Sequence, residues 1–253
     1  MKKLITAILI LLFSGAAFAQ RSDVGIFIGS SYYTGDLNPG KPFNKPLPAY
    51  GALYRYNFNP RIAIKAGLTF TQFQGADKFS KFQPDRGLYF NSTLVEGSAQ
   101  LEVSFYEFKV DGDDHSISPY IFAGIGYSSF KVSNSNNPYV TLASGDIQDV
   151  TTFTVDPKNP IVDNPQDNVN KSLPLPNIPF GLGIKYNPFE NVSMGLEWGL
   201  RKPFGKNADK LDNVYQQGIR VSTANDWYAF AGFWIAIRLN IFNNNSCDEF
   251  KRH

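Results

Sequence analysis

Val192-Ser193-Met194-Gly195-Leu196-Glu197-Trp198-Gly199-Leu200-Arg201 alternates without a break. Val192, Met194, Leu196, Trp198 and Leu200 fall on one face. Ser193, Gly195, Glu197, Gly199 and Arg201 fall on the other. Successive side chains of a strand point to opposite faces, so this spacing predicts a strand and excludes a helix. One face carries large apolar groups, and the other carries small and charged ones. The two faces must therefore meet very different surroundings.

The same period recurs along the chain. In Ile178 to Asn187, Ile178, Phe180, Leu182, Ile184 and Tyr186 alternate with Gly181, Gly183, Lys185 and Asn187. In Trp227 to Phe242, a stripe from Trp227 through Phe233, Ile235, Ile237 and Ile241 faces away from Arg238 and Asn240. Five further segments qualify: Asp23 to Tyr33, Pro48 to Tyr56, Arg61 to Phe73, Thr93 to Phe108 and Pro119 to Phe130. No helix is expected beyond the first twenty residues.

The connections alternate in length. Long segments, Thr34 to Leu47, Gln74 to Asn91, Lys131 to Asn177 and Lys202 to Asn225, take turns with short ones at Asn57 to Pro60, Lys109 to Ser118 and Asn187 to Asn191. Short turns at one end and long loops at the other, on strands with one apolar and one polar face, are the organisation of an outer-membrane barrel. The expected fold is all-β: an antiparallel transmembrane β-barrel of about eight strands in up-and-down order, of the OmpA/OmpX kind. A soluble sandwich or lipocalin-like barrel also alternates. It gives no reason for charges opposite so many large apolar residues, or for the regular change of loop length.

Ends and composition agree. Lys2 and Lys3, the apolar run Leu4 to Phe13 and Ala17-Phe18-Ala19 read as a signal peptide over residues 1–19. The barrel is expected over residues 20–242 and a short periplasmic tail over 243–253, in the outer membrane of a Gram-negative bacterium. The 22 Phe, 13 Tyr and 3 Trp suit a barrel with aromatic girdles at both interfaces. A formal charge of +2 gives no reason to invoke nucleic acid. Cys247 is the only cysteine, so no internal disulfide forms.

If the apolar stripes face lipid, the other stripes bring Arg55, Arg61, Lys65, Glu96, Glu102, Lys185, Glu197, Arg201 and Arg238 into the lumen. A barrel of about eight strands is only wide enough to be filled by such side chains. Opposite charges confined there should pair, because an isolated buried charge is costly. The expectation is a plugged, salt-bridged interior without a channel. Inward glycines such as Gly181, Gly183, Gly195 and Gly199 make room for the long side chains.

Several stretches carry a family resemblance. They are Tyr33-Thr34-Gly35-Asp36-Leu37, Arg55 to Arg61, Pro119 to Gly126, Pro179 to Tyr186, and Gly195-Leu196-Glu197-Trp198-Gly199-Leu200-Arg201-Lys202 with Phe204. Asp209 to Asp212 and Asp226-Trp227-Tyr228 complete the ordered set. Together they resemble the PorG-like outer-membrane proteins of the Bacteroidetes. The resemblance implies a component of the type IX protein secretion system, tying a periplasmic ring and translocon proteins to the outer membrane. The implied partners are membrane lipid and those proteins, with no small-molecule substrate and no cofactor.

Catalysis is not expected. The only histidines are His115, in a short turn, and His253, at the end, so no base stands beside a nucleophile near the long loops. Asp36, Asp77, Asp85, Asp209 and Asp212 lie in the long loops, but their spacing matches no calcium motif. They read better as solvated loop residues. Cys247 is a candidate contact with a periplasmic partner, and Phe242 a terminal aromatic suited to barrel insertion. The alternative function is a stand-alone surface barrel, an adhesin or envelope stabiliser acting through its long loops.

Overall fold

Each alternating segment becomes a strand, and each strand pairs with its sequence neighbours. The computed structural model describes residues 22–81, 87–108, 116–136, 139–149, 154, 156–189, 191–208, 210–212 and 226–239. Residues 1–19, Asp85, His115, Asp209, Phe242, Cys247 and the tail 243–253 lie outside the described residues. Eight strands form the wall: β1 (Ser22–Thr34), β2 (Leu47–Asn57), β3 (Ile62–Ala76), β4 (Tyr89–Ser104), β5 (Ile117–Asn136), β9 (Ser172–Phe189), β10 (Val192–Pro203) and β11 (Trp227–Arg238). Between β5 and β9 lie three short strands, β6 (Tyr139–Leu142), β7 (Ile147–Asp149) and β8 (Ile161–Asp163).

The wall closes in the order β1-β11-β10-β9-β5-β4-β3-β2. Every pair in it is antiparallel. Closure comes from β1 on β11, with Asp23 opposite Arg238 and Thr34 opposite Trp227. A closed sheet has no edge to leave unpaired.

The strands differ from the expected ones at both ends: at the short-turn end β4 stops at Ser104 and not Phe108, and β11 stops at Arg238, short of Phe242, while the larger differences lie at the long-loop end. β4 begins four residues before Thr93, and β9 begins six before Ile178. β5 continues past Phe130 to Asn136. The wall therefore rises well into the segments expected as loops. In β9 the added stretch carries Leu173 and Leu175 between Pro174 and Pro176, so both faces are apolar; in β5 the added stretch is polar except for Val132, so neither shows the period. The 131–177 segment also folds further, into the small sheet β7-β6-β8 and a 3-10 turn at Pro165–Asn168. A one-turn helix, α1 (Asp77–Ser80), caps β3. Neither short helical turn was expected.

The described parts of the first two short turns are locally satisfied. Asn59 Oδ1 accepts from the backbone N–H of Arg61 at 2.8 Å and of Ile62 at 2.9 Å. Ser118 Oγ accepts from Tyr106 N at 3.0 Å. Phe108 N donates to Pro60 O at 2.9 Å, which ties two neighbouring turns together.

Outside, the wall is apolar. Ile26, Leu68, Leu101, Ile125, Leu182 and Leu196 are exposed, Ile125 to 73%. Inside, the charged residues are buried, with Arg55 at 1% and Glu102 at 0%. This inverts the arrangement of a soluble barrel.

Candidate functional site

The interior is built in layers. At the short-turn mouth, Arg238 Nε donates to Asp23 Oδ1 at 2.8 Å, and Asn57 Nδ2 donates to Asp23 Oδ2 at 2.9 Å. These groups come from three neighbouring strands, so the layer also pins the barrel's closure.

The next layer centres on Glu102. Arg55 donates to both its oxygens, at 2.9 and 3.2 Å. Lys65 lies 3.5 Å and Lys185 3.7 Å from the same carboxylate. Lys65 also pairs with Glu197, which accepts from Tyr120 Oη at 2.7 Å. Trp234 Nε1 donates to Tyr120 Oη at 3.1 Å, and the Arg55 guanidinium lies 4.1 Å over the Trp234 ring. Seven of the eight wall strands thus meet in one ion-paired and hydrogen-bonded cluster. Three cations share two carboxylates, so each carboxylate is held by several donors, which is what burial of charge demands.

Room for this cluster comes from glycine. A Cβ on Gly183 would stand 2.6 Å from the Tyr120 ring, and one on Gly195 would stand 2.8 Å from the Trp234 ring. Both distances are shorter than any real contact, so only a bare backbone fits behind these rings.

Above it, Arg201 Nε donates to Glu96 Oε1 at 3.2 Å, and Tyr228 Oη donates to Glu96 Oε2 at 2.7 Å. Ser128 and Asn177 extend this layer, with Asn177 Nδ2 donating to Ser128 Oγ at 3.0 Å. A cavity of about 30 Å³ separates it from the Glu102 layer, bounded by Lys65, Gln100, Glu197 and Arg201. That is room for about one water.

The long-loop half is filled by apolar packing instead. Tyr33, Phe73, Phe90, Phe130, Tyr228 and Phe230 pack inward from the wall. Leu37, Leu88 and Leu211 enter from the loops, and each is at most 1% exposed. Ser92 Oγ holds this cork by donating to Leu211 O at 2.8 Å. Beside it, the Tyr33 hydroxyl bonds Asp212 and lies 2.9 Å from Asp226 Oδ1, and Asp226 Oδ2 accepts from Leu211 N at 3.0 Å.

Of the expected lumen charges, Arg55, Lys65, Glu96, Glu102, Lys185, Glu197, Arg201 and Arg238 lie inside, in the layers above. Arg61 does not. It sits in the turn before β3, with its side chain 58% exposed and 4.0 Å from Glu107. The strand starts one residue later, so its inward period never reaches Arg61. Asp36, Asp77 and Asp212 are buried, not solvated as the sequence suggested. Asp77 caps a loop by accepting from Leu88 N at 2.9 Å. Among the described residues no three His, Cys, Asp or Glu gather as a metal site.

Asp23, Tyr120, Tyr228, Trp234 and the apolar cork escaped the sequence reading. Tyr120 and Trp234 share the inward period with Gly124 and Arg238, and that signal was available. The cork left no comparable signal, because its loop residues have no period.

A family model described as "Domain of unknown function (DUF6089)" matches residues 2–151, more than half of the 253-residue chain. No curated protein matches the chain. Among solved structures, the chain is similar to Neisserial surface protein A (NspA) at 12% identity and a TM-score of 0.47, over 86% of this chain and 96% of that one. It is similar to Ail of Yersinia pestis, solved with the heparin analogue sucrose octasulfate, at 13% identity and a TM-score of 0.43, over 85% and 96%. It is also similar to the N-terminal β-barrel domain of Pseudomonas aeruginosa OprF at 15% identity and a TM-score of 0.38, over 86% and 97%.

Proposed function

We infer that this chain, which belongs to the DUF6089 family, is a sealed outer-membrane barrel that anchors partner proteins and transports nothing itself. The observation that carries the reading is the filled interior. Among the described residues, ion-paired layers occupy one half of the lumen and the apolar cork the other. The apolar exterior supports a wall set in lipid, since an exposed apolar surface of this extent is ill suited to water. The long loops then face outward and the short turns the periplasm.

A barrel that neither conducts nor offers a nucleophile with a base acts through its surfaces. The short-turn end offers a rigid, aromatic one. Phe58, Phe105, Tyr106 and Phe189 are all exposed there, Phe189 to 69%. Some of these rings belong to the lipid interface, as in other barrels. The rest are suited to protein contact, because large rigid rings anchor interfaces. The finer reading is a scaffold of the type IX secretion system, linking a periplasmic ring to the membrane. The ordered motifs from Tyr33 to Tyr228 support it by resemblance. The candidate grip is the turns Asn57 to Arg61, Asp111 to Ser116 and Asn187 to Glu190, with Cys247 in the tail.

The test is a gentle cross-link in living cells, followed by purification of the tagged chain. Recovery of periplasmic ring and translocon proteins is the expected result. Recovery of the barrel alone would leave it outside that system.

A second reading has its own observation. The sheet β7-β6-β8 stands beyond the wall, where a surface adhesin would present it. Replacing residues 139–163 by a short linker separates the two: a scaffold keeps its function and an adhesin loses it.

A further inference from the structure

Two outer-loop segments bring lysines together at one place on the rim. Lys41 Nζ donates to Ser80 O at 2.5 Å. Lys45 Nζ lies 4.3 Å and Lys78 Nζ 5.0 Å from the centroid of the same Phe79 ring. Lys81 follows directly, and all four side chains are exposed. Among the described residues none of the four forms an ion pair. The nearby Asp77 is buried and engaged with Leu88 N. Like charges gathered on one ring repel one another unless an anion joins them.

Directly below is a break in the wall's smooth surface. β2 ends at Leu47, while β3 runs on to Ala76 and pairs with β4 as far as Tyr89. The step leaves a groove of about 410 Å³ lined by Pro48, Tyr50, Phe70, Gln72, Thr93 and Val95. Tyr50, Phe70 and Val95 are exposed apolar groups of the outer face. Lys45 is three residues from Pro48, so at most about 10 Å of chain separates it from the groove, and it shares the Phe79 ring with Lys78.

We propose that Lys41, Lys45, Lys78 and Lys81, with the groove below them, bind one phosphorylated lipid of the outer leaflet. Its phosphate sits among the ammonium groups and an acyl chain lies in the groove. The cations select the anion, and the position of the groove within the wall selects a ligand that carries a chain. Free phosphate satisfies only the first half. This inference rests on the outer-membrane reading above.

The test uses the full folded chain in phosphatidylcholine vesicles containing a minor fraction of diphosphorylated lipid A. Lipid retained per barrel is read by native mass spectrometry after mild extraction. The wild-type chain should retain lipid A about tenfold over phosphatidylcholine, since each interfacial lysine adds a modest attraction. The combined variant Lys41→Gln, Lys45→Gln, Lys78→Gln, Lys81→Gln should lose that preference, and so should Val95→Trp, which fills the groove. Dephosphorylated lipid A should bind no better than phosphatidylcholine. Unchanged retention in either variant overturns the proposal, as does full displacement by inorganic phosphate. A wild-type chain that never inserts into the vesicles overturns the outer-membrane reading itself. One that inserts without lipid preference overturns only the lipid site.

Discussion

Single residues decide whether the interior holds. Glu102 is the clearest case, because it is fully buried and Arg55, Lys65 and Lys185 all converge on it. Glu102→Gln leaves those cations short of a counter-charge. Breaking a buried pair from one side costs about 3–5 kcal/mol. Urea unfolding of the barrel in vesicles should show a loss of that order, and an unchanged midpoint would mean that water already screens the site. Gly183→Leu should be worse still, since the Tyr120 ring occupies the space a side chain needs. The expected result is a chain that no longer gives the compact, heat-modifiable band of a folded barrel; a normal band would show that the ring can move aside. Most of this layer was legible in the sequence, because Glu102, Lys185 and Glu197 each stand opposite an apolar stripe. Arg61 misled because a period cannot tell a strand's first residue from the last residue of a turn. Asp23 went unnoticed because its role depends on Arg238, a partner at the far end of the chain that only closure brings near.

At the scale of elements, each wall strand has one lipid-facing row that tolerates no charge. Leu182 is on such a row, opposite Ile121 and Trp198. Leu182→Arg should destabilise the inserted barrel by roughly 2–4 kcal/mol if it lies near mid-membrane. A change near zero would place β9 outside the hydrocarbon. The sheet β7-β6-β8 predicts the opposite behaviour. Its strands pair with one another and not with the wall. Replacing residues 139–163 by a short linker should therefore leave barrel assembly intact, as read by heat modifiability. Failure to assemble would make that sheet part of the folding unit. The sequence showed the wall strands where one face was polar, as in β10. It lost them where both faces were apolar, as in the outer part of β4, where Phe90 and Leu94 point inward while Tyr89 and Val95 point out. There the period survives in geometry but not in hydropathy.

At the scale of the molecule, the arrangement is a barrel turned inside out and then stoppered. Lipid solvates the apolar exterior, while the buried charges solvate one another. The loops supply what the wall cannot, because Leu37, Leu88 and Leu211 come from three different connections and meet in one buried cluster inside the closed barrel. That is why the ionic half of the interior could be anticipated from strand periodicity and the apolar half could not. A filled barrel has two useful surfaces, its outer rim and its short-turn end, and the proposed anchoring and lipid contact use one each. The most direct test of sealing is single-channel recording of the folded chain in a planar lipid bilayer. A sealed anchor predicts a membrane that stays at its baseline conductance across the applied voltages. A stable open level of porin size would contradict it.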